Sequence, residues 1–199
     1  DDIPAVPVWR GDDYLLFYGC GVINWTYDKS TESFVHTNNP YSNYGYYFLT
    51  DATGTKEMES VASAAGASLK VTTFDDYRLH EKDLVSVNNS GRELFGEAMD
   101  MTLSRDFSFT GITGITNDDG KIALRFIAKP TTGNGSVSMS VDGEKLLEKT
   151  IAQSGSSGSE TYTMARLVYE VVDWKGDKGT NVKVNVRYGQ LGHKNVHLD

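Results

Sequence analysis

The sequence predicts an all-β protein, a β-sandwich of jelly-roll type with an N-terminal strand-rich lobe or sheet packed on it, and three observations carry that expectation. Short runs rich in valine, isoleucine, threonine and aromatics recur with turn residues between them. In the clearest, Val182, Val184, Val186 and Tyr188 alternate with Lys183, Asn185 and Arg187, the period of two that sends one set to a core and the other to water. Asp142-Gly143 joins two such runs, and Asp-Gly is a strong hairpin signal because both turn positions need positive φ. The stretch Asn38 to Thr50 joins a turn cluster, Asn38-Asn39-Pro40, to an aromatic run whose bulky side chains suit a pleated surface better than a helix.

Taken in order, residues 1–12, with Pro4, Pro7 and then Gly11 and Asp12, read as an extended segment or linker. A β-rich region over 13–90 follows. It opens with a strand over 13–18, interrupted at Gly19-Cys20-Gly21 by a tight turn or bulge. A second strand over 22–27 turns at Asp28-Lys29-Ser30 toward a third over 33–36. Pro40 fixes its own φ and pushes Asn39 out of the helical region. Gly45 then opens a strand in which Tyr46, Phe48 and Thr50 share one face and Tyr47 and Leu49 the other. With both faces largely apolar, it is expected inside its sheet. Residues 57–67 are ambiguous, 68–74 alternate as a strand should, and 75–84 fit one or two helical turns with Asp75 or Asp76 as N-cap.

Residues 91–199 form the sandwich proper. Strand patterns cover 93–101, 105–112, 121–129, 136–141, 145–152, 161–174, 182–188 and 195–199. In 121–129, Ile122, Leu124, Phe126 and Ala128 line one face. The two regions stand as two lobes or merge into one domain.

The 199 residues and 21.9 kDa are enough to bury a substantial core. A formal net charge of −8 and a pI near 5.0 argue against nucleic acid or an anionic membrane surface as partner, because phosphates repel such a surface. One cysteine, Cys20, excludes an intramolecular disulfide framework and any multi-cysteine zinc site. No run approaches the ~18 apolar residues that span a bilayer. The last residues, Asn195 to Asp199, alternate like a strand and stop without a turn, so the chain is expected to be a piece of a longer protein.

Candidates for chemistry are few. Cys20 lies between two glycines, but a nucleophilic cysteine needs a base and an oxyanion hole, and none of His36, His80, His193 and His197 sits in a recognisable catalytic setting. Asn117-Asp118-Asp119-Gly120 is rich in oxygen ligands yet lacks the ladder and distal glutamate of an EF-hand, and reads as a turn. His193 and His197, four apart in a strand, do not converge on one metal. The carboxylate pairs Asp12/Asp13 and Asp75/Asp76 point to opposite faces if they lie on strands. Asn24, Asn88 and Asn134 head glycosylation-type triplets. No catalytic, cofactor-binding or metal-binding residue is therefore assigned. The remaining candidate is a binding surface of Trp25, Tyr27, Tyr41, Tyr44, Tyr46 and Tyr47, which would stack on sugar rings in a carbohydrate-binding or adhesin-like module. Burial of these rings as core is the alternative.

Four motifs in order, Asp13 to Gly21 (D-Y-L-L-F-Y-G-C-G), Trp25 to Asp28 (W-T-Y-D), Asn38 to Thr50 (N-N-P-Y-S-N-Y-G-Y-Y-F-L-T) and Ser90 to Glu97 (S-G-R-E-L-F-G-E), give the chain a family resemblance. It resembles the region that precedes the peptidase domain in the PorU-like family, gingipain-like cysteine peptidases that serve as sortases of the Bacteroidetes type IX secretion system. Leu94 stands where that family usually has tryptophan, and Cys20 stands at a variable position between the family's glycines. The family's α/β catalytic domain has no counterpart in this sequence. The resemblance implies a non-catalytic accessory β-domain of a secreted or cell-surface peptidase, on the extracellular side of the outer membrane. Its implied partners are the adjoining cysteine peptidase domain and the C-terminal domains of secreted cargo, with glycan the partner under the alternative reading and no cofactor under either. Arg92, Glu93 and Glu97 of the last motif are expected to pair with each other or with the first half.

Overall fold

The computed structural model describes residues 3–51, 56–62, 66–87, 89, 91, 93–112, 120–155, 158, 162–175 and 181–199. The protein is all-β. In chain order the strands are β1 (Val8–Arg10), β2 (Leu15–Phe17), β3 (Ile23–Asp28), β4 (Ser33–Asn38), β5 (Ser104–Phe109), β6 (Gly120–Lys129), β7 (Gly135–Val141), β8 (Glu144–Ile151), β9 (Arg166–Trp174), β10 (Val182–Tyr188) and β11 (Lys194–Leu198). The chain divides into two compact units, one of Asp1–Thr26 and Phe34–Tyr77, the other of Tyr27–Ser33 and Arg78–Asp199. Among the described residues no helix is long and apolar enough to cross a membrane.

The second unit holds the predicted β-sandwich. One sheet runs β5-β10-β7-β8 and the other β11-β6-β9, with neighbours antiparallel throughout. The alternation read from the sequence decides what lies between them. Val182, Val184, Val186 and Tyr188 of β10 and Val137, Met139 and Val141 of β7 meet Leu124, Phe126 and Ala128 of β6, Val168 of β9, and Val196 and Leu198 of β11 in one core. Each fully buried side chain of this size contributes roughly 1.5–3 kcal/mol. The β7–β8 hairpin closes at Asp142 and Gly143 with φ of 48° and 89°, so that Val141 faces Glu144 directly, as a two-residue primed turn requires. Asp142 also ties the turn to β10: its N–H donates to Lys183 O at 2.8 Å, and its Oδ1 accepts from Lys183 N–H at 3.0 Å.

The strand expected over 93–101 is present only as bridges. Gly96 N–H donates to Leu198 O at 2.6 Å, Leu198 N–H to Glu97 O at 3.1 Å and Met99 N–H to Val196 O at 2.8 Å, so this segment covers the outer edge of β11 and seats Met99 in the core.

The first unit departs further from expectation. Its two-stranded sheets are β1 with β2 and β3 with β4. β1 lies inside the segment expected as a linker; Gly11 N–H donates to Tyr14 O at 2.9 Å and turns the chain back, so Val8 pairs with Phe17. The strands expected over 46–50 and 68–74 do not form, and Tyr46, Phe48 and Leu49 are 73%, 80% and 87% exposed rather than interior. Alternation makes a segment fit to be a strand, but a ladder needs a partner backbone, and among the described residues neither segment has one. The helical turns expected over 75–84 are also missing: Asp76 Oδ1 accepts from the adjacent Tyr77 N–H at 2.8 Å, and the charge-rich segment offers no apolar stripe to repay helix nucleation.

Candidate functional site

The aromatic side chains singled out in the sequence are held in three different ways. Trp25 of β3 is half-buried, with the ring of Tyr77 at 4.2 Å and that of His36 at 5.1 Å between centroids. Tyr47 donates its hydroxyl to Cys20 O at 2.8 Å and lays its ring 5.2 Å from that of Phe17. Tyr41, Tyr44 and Tyr46 are exposed. Local polar turns fix the first two: Tyr41 N–H donates to Asn39 Oδ1 at 3.0 Å, and Tyr44 N–H donates to Ser42 Oγ at 3.1 Å. Tyr27 is exposed on β3. The exposed tyrosines offer π faces to solvent, and no ring contact joins Tyr41, Tyr44 and Tyr46 to one another among the described residues.

Cys20 is exposed, and among the described residues no hydrogen bond joins its thiol to a histidine. His193 is buried, its Nδ1 2.6 Å from the Tyr188 hydroxyl and its Nε2 3.2 Å from Thr132 O. His197 Nδ1 lies 3.2 Å from Gly96 O. Both imidazoles of the last strand region thus serve backbone and core contacts, and no group of metal ligands forms among the described residues. Of the Asn117-to-Gly120 turn, residues 117–119 lie outside the described residues, as do Asn88 and Arg92.

One charged constellation meets the expectation that Glu97 pairs with the first half of the chain. In the second unit a cavity of about 360 Å³ is lined by His80, Lys82, Glu97, Ser104, Arg105 and Asp106, among others. Glu97, with its side chain 13% exposed, accepts at one oxygen from both His80 Nε2 at 3.0 Å and Lys82 Nζ at 2.9 Å. The His80 ring also packs on Phe107, 4.5 Å between centroids. Burial is the largest influence on the Glu97 carboxyl and opposes ionisation. Lys82, the residue's own backbone N–H and His80 together outweigh it and hold the carboxyl below the ordinary glutamate range. Arg105 spends its Nε and Nη2 on Ala98 O at 3.2 and 2.8 Å. Ser104 Oγ accepts from Asn185, and no hydrogen bond brings it to His80, so a serine, a histidine and a glutamate share one cavity without the relay that nucleophilic catalysis requires. The arrangement pins residues 80–82 to residue 97. The sequence pointed Glu97 toward the first half but did not name His80 and Lys82, because spacings of 15 and 17 residues follow no motif.

Glu93 of the last motif departs from the expected pairing within the motif or with the first half: it pairs with Arg125 of β6, which also pairs with Asp199 and stacks over the Phe95 ring at 5.2 Å.

No protein-family model and no curated protein matches the sequence. Among solved structures, the crystal structure of dimeric latent PorU from Porphyromonas gingivalis matches the whole of this chain with a TM-score of 0.74 and 31% sequence identity, and the match takes up 19% of the PorU chain. The chain is thus similar along its full length, in fold and in sequence, to about a fifth of PorU.

Proposed function

We propose that this chain is a non-catalytic accessory β-domain of a secreted or cell-surface, gingipain-like cysteine peptidase of the PorU-like, type IX secretion sortase kind. It supports the adjoining peptidase domain or engages the C-terminal domains of cargo outside the outer membrane. The observation that carries this reading is the match of all 199 residues to 19% of PorU at 31% identity. The test is to sequence the coding region downstream of Asp199. A reading frame continuing into an α/β domain with a histidine and cysteine dyad is the expected result, and a stop codon soon after Asp199 overturns the proposal.

A second reading, glycan binding by an aromatic surface, is favoured by the exposure of Tyr41, Tyr44 and Tyr46, since stacking on sugar rings needs accessible π faces. It predicts saturable glycan binding that Tyr46→Ala weakens at least about tenfold, roughly the 1.4 kcal/mol of one lost stacking contact. Binding unchanged in that variant and in Tyr44→Ala removes it.

A further inference from the structure

The first unit exposes many large apolar side chains. Two segments account for much of it: Tyr46, Tyr47, Phe48 and Leu49, and Leu69, Val71 and Phe74, the last three 83%, 75% and 85% exposed. Both have the alternation and β-branched or aromatic content of strands. Neither pairs in a strand or bridge among the described residues. A run that is competent to pair, apolar and unpaired is the signature of a strand whose partner lies outside the chain.

We propose that residues 46–49 and 69–74 are docking strands that pair with, and bury their side chains against, a further domain of the same polypeptide. The inference rests on the accessory-domain reading above, and names the surface that reading uses. Two observations support this occupant, the first over a second copy and the second over a free cargo protein. The likeness to PorU extends over the whole of this chain, these segments included, while about four-fifths of the PorU chain lies outside the match; a covalently attached body of that size meets the strip at high effective concentration. The segments themselves carry one charge, Lys70, between them, although the chain as a whole is at −8. A largely apolar strip with a single charge fits a permanent interface of the kind that resembles a divided core, whereas transient partners are usually met by more polar surfaces.

The experiment is amide hydrogen exchange on the full-length polypeptide and on this 199-residue chain alone, each at two concentrations a hundredfold apart. In the full-length protein the amides of 46–49 and 69–74 are expected to exchange at least about tenfold more slowly than in the isolated chain, independent of concentration. In the full-length protein, Phe48→Asp with Leu49→Asp is expected to abolish that protection while leaving β6 and β10 protected. Equal exchange in both proteins overturns the inference, even if a peptidase domain follows. Protection that grows with concentration in the isolated chain assigns the strip to a second copy and overturns it too. If the reading frame holds no peptidase domain but protection still depends on the attached sequence, the accessory-peptidase reading fails and the docking strands stand.

Discussion

Tyr188 has no exposed surface, and its hydroxyl and the two nitrogens of His193 form a short chain ending on Thr132 O. A carbonyl only accepts, so His193 donates from Nε2, accepts at Nδ1, and receives the proton of Tyr188. Replacing Tyr188 by phenylalanine leaves Nδ1 buried without a donor, and the expected cost is about 1–3 kcal/mol in urea unfolding. The same burial pushes the phenol up to about 12. A group whose folded-state pKa is raised contributes stability that is whole below its unfolded value near 10 and is lost as pH rises toward 12. The wild-type chain is therefore expected to lose stability across that interval, and Tyr188→Phe to lack this component. A decline of equal size in both would assign alkaline unfolding to other groups. Gly135 belongs to the same site, because a Cβ there would collide with the Tyr188 ring and hydroxyl. Glu97 gives the opposite sign. Its carboxyl is depressed, so its contribution is present above the ordinary glutamate value and disappears as pH falls through the folded-state one. Glu97→Gln is expected to flatten the stability profile in acid and to leave it unchanged in shape at alkaline pH. That Tyr188 is a core residue was legible from the alternation of 182–188. Its partner was not, because a histidine five residues on is placed by the turn between β10 and β11 and by no periodicity.

At the scale of elements, the sandwich strands were legible because their partners lie within the chain. β6 pairs with β9 along nine successive residues, Gly120 to Ala128, and the face predicted for it, Leu124, Phe126 and Ala128, is the one buried. The same pattern misled over 46–50 and 68–74, since periodicity reports fitness for a sheet and cannot report whether a sheet is there to join. β9 shows how an edge is managed. It ends the β11-β6-β9 sheet, and Glu170, on the side of the strand that also carries Val168 and Val172, pairs with Lys149 of β8. A charge at such a position disfavours the addition of another strand. Glu170→Val is expected to leave the monomer folded but to raise self-association, read by light scattering, relative to the exposed control Asp173→Val. At the β7–β8 turn, Gly143→Ala must place a side chain at φ 89°, and a loss of roughly 1 kcal/mol is expected.

For the molecule as a whole, the two units differ in how their backbone is satisfied. The sandwich buries its apolar faces between paired strands, whereas long stretches of the first unit, including 43–49 and 69–74, are exposed and, among the described residues, outside any ladder. Local opening free energy follows from such differences, near zero where the backbone is solvated and approaching the global value inside a packed sheet. When opening is fast relative to cleavage, proteolysis tracks the open population. Chymotrypsin acting on the isolated chain is therefore expected to cut first beside Tyr44, Tyr46, Phe48, Leu49 or Phe74, and to reach Phe126 and Tyr188 at least about a hundredfold more slowly, with mass spectrometry of early fragments locating the sites. Early cleavage at Phe126 or Tyr188 would mean that the sandwich does not hold its own core. Cleavage of neither region on the same timescale would mean that the first unit protects its apolar segments without a partner, and the case for docking strands would then lose its physical basis.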